Sequence, residues 1–306
     1  MVRPALKSLS RGAALLLAML IAALAAVVAV AVAAEQQRWF ADVANRRDQV
    51  QAQALALAGV QWARQIMQDD ARAGTLDHLG EAWAFPLPRT PLENGSIEGG
   101  IEDAQARLNI NNLAKDDALG KEERARLSRL FALRGVAPGA LTAIAASLAP
   151  VPASADTQKA GTPPRAQPLP ASLWPVRAAE VAALSGIAPR DIPRMLPFVV
   201  ALPAATVLNV NTAPSEILAA ALPGLSTDAL AALVAERARK PFATLSDLRS
   251  RLGSGANIPD ETTLGTSSSF FLVSVRARQG ETRAQARALL RRDGREWPIV
   301  VWQTLE

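Results

Sequence analysis

Cysteine is absent from all 306 residues, and histidine occurs once, at position 78. The first absence removes any disulfide framework, thiolate metal sites and thiol catalysis, and leaves the redox compartment unmarked. With one histidine, a zinc site lacks nitrogen and sulfur ligands, so any metal must be a hard ion held by oxygen. There is no G-x-S-x-G, no Walker loop, no H-E-x-x-H and no D-x-D-x-D-G calcium loop. Carboxylates do occur as neighbours, at Asp69-Asp70, Glu102-Asp103 and Asp116-Asp117. Adjacent residues diverge by about 100° on a helix and alternate faces on a strand, so adjacency does not build an acid/base pair. No catalytic residue is assigned, and a non-enzymatic protein is expected.

Charge is missing altogether from Ala13 to Ala34, AALLLAMLIAALAAVVAVAVAA. At about 1.5 Å per residue a helix of this length matches the ~30 Å apolar core of a bilayer. The leader MVRPALKSLSRG has Arg3, Lys7 and Arg11 and no acid, which places it on the cytoplasmic side of an inner membrane, with the rest outside. Three of the five excess positive charges belong to it; the rest of the chain, at about +2, does not by itself imply nucleic acid. Three readings fit the segment. One is a secretory signal cut at Ala31-Val32-Ala33, another a plain anchor, and the third a prepilin-type leader ending at Gly12.

Proline is absent from Glu35 to Ala73, where polarity becomes mixed without a turn signal. The helix is therefore expected to run out of the membrane to a cap at Gly74. Leu55, Gly59, Trp62 and Ile66 fall on one stripe and predict its buried face. A signal-peptidase cut would lie in mid-helix, which favours the prepilin reading.

With this rod in place, the chain resembles the K-type minor pseudopilins of bacterial type II secretion. The resemblance rests on RG-AALLLAMLIAALAA, on WARQIMQDDARAGTLDHLGEAWA (62–84), on IEDAQARLNINNL (101–113) and on NVNTAPSEILAAALPGLS (209–226). It implies removal of the leader after Gly12 by a prepilin peptidase and N-methylation of Ala13. It also implies association with I- and J-type minor pseudopilins, contact with the secretin or an exported protein, and calcium in the periplasmic domain. The fifth residue counted from Ala13 is Leu17, where most pilin-like proteins carry a glutamate. In the family picture that carboxylate meets the terminal amine of the subunit ahead, so Leu17 fits a tip position with nothing above it.

The remaining chain predicts an α+β fold, with a pilin-like long helix packed on a small antiparallel sheet and a large all-α insertion, resembling helix-hairpin-helix domains, between strands. The expected divisions are leader 1–12, transmembrane half-helix 13–34, periplasmic helix and first part of the α+β domain 35–109, helical insertion 110–265 and C-terminal strands 266–306. Residues 75–91, with prolines 86, 88 and 91, predict a surface loop containing His78 between Asp77 and Glu81. Asp77 and Glu81 are the candidate calcium ligands. Ser96–Asp103 predicts the first strand, after Asn94-Gly95. Helices are expected over 121–133 and 139–148, and a Pro-rich loop or linker over 149–170. The sequence LNINN (108–112) recurs as LNVNT (208–212), each copy before a helix start that its polar side chains can cap. Helices over 214–221, 227–239 and 244–252 follow. Alternating strands close the chain: one around 271–278, one over 282–292 and one over 297–302.

One rival remains beside a soluble periplasmic binding protein. The segment from 208 to 248 is similar to helix-hairpin-helix modules, whose Gly-hydrophobic-Gly turn binds DNA phosphate. Here Gly224-Leu225 is followed by Ser226, so the second glycine is missing and phosphate approach is obstructed. Arg237, Arg239 and Lys240 supply the basic charge such a module would use; nucleic acid is not expected as a partner.

Overall fold

The computed structural model describes residues 11–148, 186–252, 259 and 261–306. The leader residues 1–10 and the predicted Pro-rich loop 149–170 lie outside them. Helix α1 runs without a break over Arg11–Ala73, as the lack of proline and internal turn signals requires. It ends where the Gly74 amide donates to the Asp70 carbonyl.

The head is α+β. Five antiparallel strands, β1 (Leu87–Leu92), β2 (Gly95–Asp103), β7 (Phe270–Gln279), β8 (Thr282–Arg291) and β9 (Ile299–Leu305), form one sheet in the order β1-β2-β7-β8-β9. Between β2 and β7 the chain leaves the sheet for the insertion. This contains α2 (Ala118–Arg134), α3 (Pro138–Ser147), α4 (Ile192–Met195), α5 (Ser215–Ala221), α6 (Thr227–Arg239) and α7 (Leu245–Leu252). Two short parallel pairs stitch it together: β3 (Leu108–Asn109) with β4 (Val199–Val200), and β5 (Leu208–Asn209) with β6 (Leu264–Gly265).

Two sequence expectations need correction. Residues 87–92 form strand β1 and are not loop. Pro88 and Pro91 each lack an amide donor, but β1 pairs only with β2, so an edge strand tolerates them, with a register shift between Leu87 and Thr90. The buried face of α1 is also rotated from the predicted stripe. Ala52, Ala56, Val60, Ala63 and Met67 are buried against the sheet, Leu55 and Ile66 are partly buried, and Trp62 is half exposed. The reason is proximity: a Cβ on Gly59 would lie 2.6 Å from Val275 Cγ1, so at this point the sheet comes too close for a side chain.

The core follows this division. Val273, Val275, Ala277, Ala284, Ala286, Ala288 and Leu290 alternate inward toward α1, with Trp83 set edge-on to Phe271 at 5.3 Å. The insertion has its own core, with Leu108, Leu127, Leu130, Phe131, Ile144, Met195, Ile217, Leu218 and Phe242 all buried.

Candidate functional site

Three features of the fold can carry function: the free helix, the polar junction beyond its C-terminal end, and the insertion's hairpin. Gly12 and Ala13 lie in the first turns of α1, and Leu17 is 58% exposed. Every described side chain up to Ala33 is likewise exposed, in a segment long and apolar enough to cross a membrane. Past this segment, Trp39, Phe40, Val43 and Val50 remain exposed. At about 100° per residue, Trp39, Val43 and Val50 lie roughly 140° around the helix from Ala52, Ala56 and Ala63. The rod thus has one face on the sheet and a second apolar ridge without a partner among the described residues.

At its far end the rod meets a buried polar junction. Asp77, expected in a surface loop, is fully buried. Both its carboxylate oxygens accept from Arg292 Nη2, at 2.5 and 2.6 Å, and Oδ2 also accepts from the Ser268 amide at 2.7 Å. Arg292 Nη1 reaches Asp70, Nη2 also donates to the Ser268 carbonyl, and the guanidinium lies over the Phe271 ring. Glu81 accepts from the His78 amide and from Trp83 Nε1. His78 Nδ1 accepts from the Gly80 amide, and His78 is not among the grouped acids.

Oxygens of Asp70, Asp77 and Glu81 lie within 4.8 Å of one another. One guanidinium pairs with two of these three carboxylates, Asp70 and Asp77. Burial pushes the Asp77 carboxyl up to about 7, against the pull of Arg292, and raises Asp70, with Glu81 adding to the rise. An all-oxygen set with surplus negative charge suits a hard divalent cation. The two predicted ligands are therefore brought together, and the structure adds Asp70 and Arg292. Arg292 lies 215 residues from Asp77. No local pattern could have paired them.

Asn209 joins this centre to the insertion. Its Nδ2 donates to the Asp77 carbonyl, to Asp103 Oδ2 and to Ser268 Oγ, at 3.1, 2.9 and 3.0 Å. Asp103 also accepts from Thr212 Oγ1, Ser268 Oγ and the Gln105 amide, while its complete burial raises its pKa. The predicted cap of α5 is not formed, since Pro214 holds that position without a side-chain bond, and Asn209 Oδ1 instead accepts from the Asn211 amide. The first repeat copy matches this half only: Asn109 Oδ1 accepts from the Asn111 amide, but its Nδ2 stays within the insertion, on Ala204, Thr206 and Asn112. The repeat was legible; the function of its second copy as a junction was not.

In the insertion's hairpin, Gly224 has φ +100°, and Ser226 Oγ caps α6 by accepting from the Ala229 amide. Arg237 is buried and donates to the Val210 carbonyl, with its pKa lowered by burial to about 10. It is spent on the fold and does not face a ligand, which corrects its reading as an available basic residue.

Two family models, both described as type II secretion system (T2SS), protein K, match residues 106–204 and 208–267. Both matches fall on the insertion. The type II secretion system protein K of Pseudomonas aeruginosa is 28% identical over 261 residues, covering 79% of this chain and 76% of that one. The protein of the same description from Pectobacterium carotovorum subsp. carotovorum is 28% identical over 318 residues, covering 96% of each. Among solved structures, a chain of the GspK-GspI-GspJ complex from the type 2 secretion system of enterotoxigenic Escherichia coli superposes with a TM-score of 0.69 at 20% identity. It covers 87% of this chain and 99% of that one, and shows the fold. A transmembrane-length rod, an antiparallel head and a helical insertion that both models match lead to one conclusion: this chain belongs to the protein K family, the minor pseudopilins of the type II secretion system.

Proposed function

We propose that this pseudopilin caps the tip of the pseudopilus. The observation that carries the reading is where the insertion is latched. Its departure from the sheet at Asp103 and its return at Ser268 both lie beside Asp77, just past the end of α1 and farthest from the apolar half. A subunit stacking above would meet this bulk and not a free helix end. Leu17 supports the same place, since without a carboxylate in the apolar half there is no buried charge seeking an amine from a subunit ahead.

Assembly then proceeds in a defined order. A prepilin peptidase cuts after Gly12 and Ala13 is N-methylated, with the leader in the cytoplasm and the head in the periplasm. The ridge of Trp39, Val43 and Val50, with the apolar segment below it, packs on the helices of I- and J-type siblings; the small alanines of 13–34 permit close approach. The insertion faces outward, toward the secretin or an exported protein. Mass spectrometry of the chain isolated from native membranes tests this: methylated Ala13 is expected, and an N-terminus near Ala34 or a retained Met1 overturns it. Co-purification with the I- and J-type siblings is the companion measurement.

The three-carboxylate centre is proposed to hold calcium, with Asp70, Asp77 and Glu81 as ligands. The ion would neutralise charge that Arg292 leaves unbalanced and would tie the end of α1 to the 77–81 segment. A thermal midpoint that falls on chelation and is restored by calcium, but not in Asp70→Asn, is expected. An unchanged midpoint refutes the site.

A further inference from the structure

Helix α1 covers one face of the sheet, and the insertion covers the distal end of the other through Val200, Leu202, Leu289 and Trp302. The rest of that second face is open and rich in arginine. Arg89 of β1, Arg276 and Arg278 of β7 and Arg283 of β8 border a groove of about 530 Å³, and Arg287 continues the row along β8. Arg278 and Arg283 stand directly opposite each other in the β7–β8 register. Like charges so placed weaken a hairpin, so the fold alone gains nothing from the pair.

Compensation within the chain is thin. Glu98 stands 3.6 Å from Arg276, with both side chains well exposed, and Glu281 meets Arg278 at the turn. Arg89 Nε donates to Ser96 Oγ, and Glu306 also borders the groove. Arg283 has no hydrogen bond or ion pair among the described residues. The outward rows of β7 and β8 carry no other acid.

We propose that this face is a docking surface for a carboxylate-rich patch on a folded protein outside the fibre. The inference rests on the assembly described above and adds to it a surface and a partner chemistry. The order of layers sets the direction: the apolar ridge of α1 faces the siblings, the sheet lies behind α1, and the arginines point away from both. Height above the bilayer sets the partner class. The β7–β8 turn sits over Asp48, since a Cβ on Gly280 would collide with that carboxylate. Asp48 is fourteen residues past Ala34, which is about 21 Å along the helix; less a headgroup layer of about 6 Å, this leaves nearly two screening lengths of ~8 Å at physiological salt. Attraction to lipid headgroups is therefore strongly screened. The donors also form a grid with an i, i+2 spacing of about 6.7 Å and none is deeply buried, an arrangement suited to a broad complementary surface and not to one small anion. Arginine in every position favours forked pairing with carboxylates.

The test uses the full chain in phosphatidylcholine nanodiscs and a fluorescent oligo-glutamate peptide, with oligo-glutamine as control, read by polarisation. The glutamate peptide alone is expected to bind, and to weaken severalfold as salt is raised. R278Q/R283Q is expected to lose about tenfold in affinity, as two charge-assisted contacts would. Arg239→Gln, on the exposed end of α6, is expected to change nothing. R283Q alone removes a side chain without a hydrogen bond or ion pair among the described residues, so a partial loss there keeps the test valid if the double variant is unstable. Equal binding by wild type and R283Q, displacement of the peptide by millimolar phosphate, or stronger arginine-dependent binding to phosphatidylglycerol vesicles each overturns the proposal. Sibling co-purification without peptide binding sinks this inference alone; loss of sibling co-purification by the wild-type chain sinks the assembly reading itself.

Discussion

Arg292→Met is the most informative single perturbation of the head. Arg292 is 7% exposed, serves both oxygens of Asp77, reaches Asp70, donates to the Ser268 carbonyl and stacks on Phe271. Methionine keeps much of the apolar stem but leaves the buried Asp77 carboxylate with two negative neighbours and the Ser268 amide as its donor. Breaking a buried pair from one side costs about 3–5 kcal/mol. At roughly 2–4 °C per kcal/mol for a head of this size, the thermal midpoint should fall by about 6–20 °C. Circular dichroism of the full chain in detergent reads this directly. Asp77→Asn in the same background removes the stranded charge and should recover most of the loss, because a buried pair replaced on both sides is often neutral. A single variant within about 1 kcal/mol of wild type, or a double variant worse than the single one, would refute the reasoning.

Three further perturbations follow from the same packing. Glu123 is buried beside Arg126, and burial raises its pKa to about 7; a raised acid stabilises the fold most below its unfolded pKa and loses this as pH rises through about 7. Wild-type stability should therefore decline between about pH 4.5 and 7, at up to about 1.4 kcal/mol per pH unit for this proton, with a shallower slope in Glu123→Gln on denaturant titration. Gly59→Val forces a branched side chain against Val275 and should cost about 1–3 kcal/mol, measured as a lower urea midpoint; an unchanged midpoint would mean that α1 is not seated on the sheet. Asn209→Ala removes the amide that bridges Asp77, Asp103 and Ser268, and should cost about 1–3 kcal/mol and speed proteolytic release of the insertion; unaltered protection would place the latch elsewhere.

The rod was readable because composition alone specifies it: no charge over one stretch and no proline over the next. The strands β7 and β8 were readable from strict alternation, whose apolar set faces α1. Strand β1 was not, because Pro88 and Pro91 read as breakers until a sheet edge is known to exist. The face of α1 was misjudged because periodicity weighs large side chains, whereas the close approach to the sheet places Ala52, Ala56, Gly59 and Ala63 in the contact; Trp62 therefore flanks it instead of filling it. The burial of Asp77 was missed because residues 75–91 read as a surface loop and nothing near it announces Arg292. Polar residues that pair across the whole chain leave no local periodicity to read.

The latch at Asp103 and Ser268 has an evolutionary consequence. The chain leaves the sheet and comes back at two points joined by one hydrogen bond of 2.7 Å, and the insertion's other ties to the head are few: Asn209, Thr212 and the packing of Val200 and Leu202 on the sheet. Whatever lies between behaves as a cassette. Its length and outer helices can drift, or be exchanged for those of another organism, at little more than the logarithmic cost of closing a longer loop. Chimeras cut at these two residues that keep Asn209 and Thr212 should thus fold, as circular dichroism of the purified chimera would read.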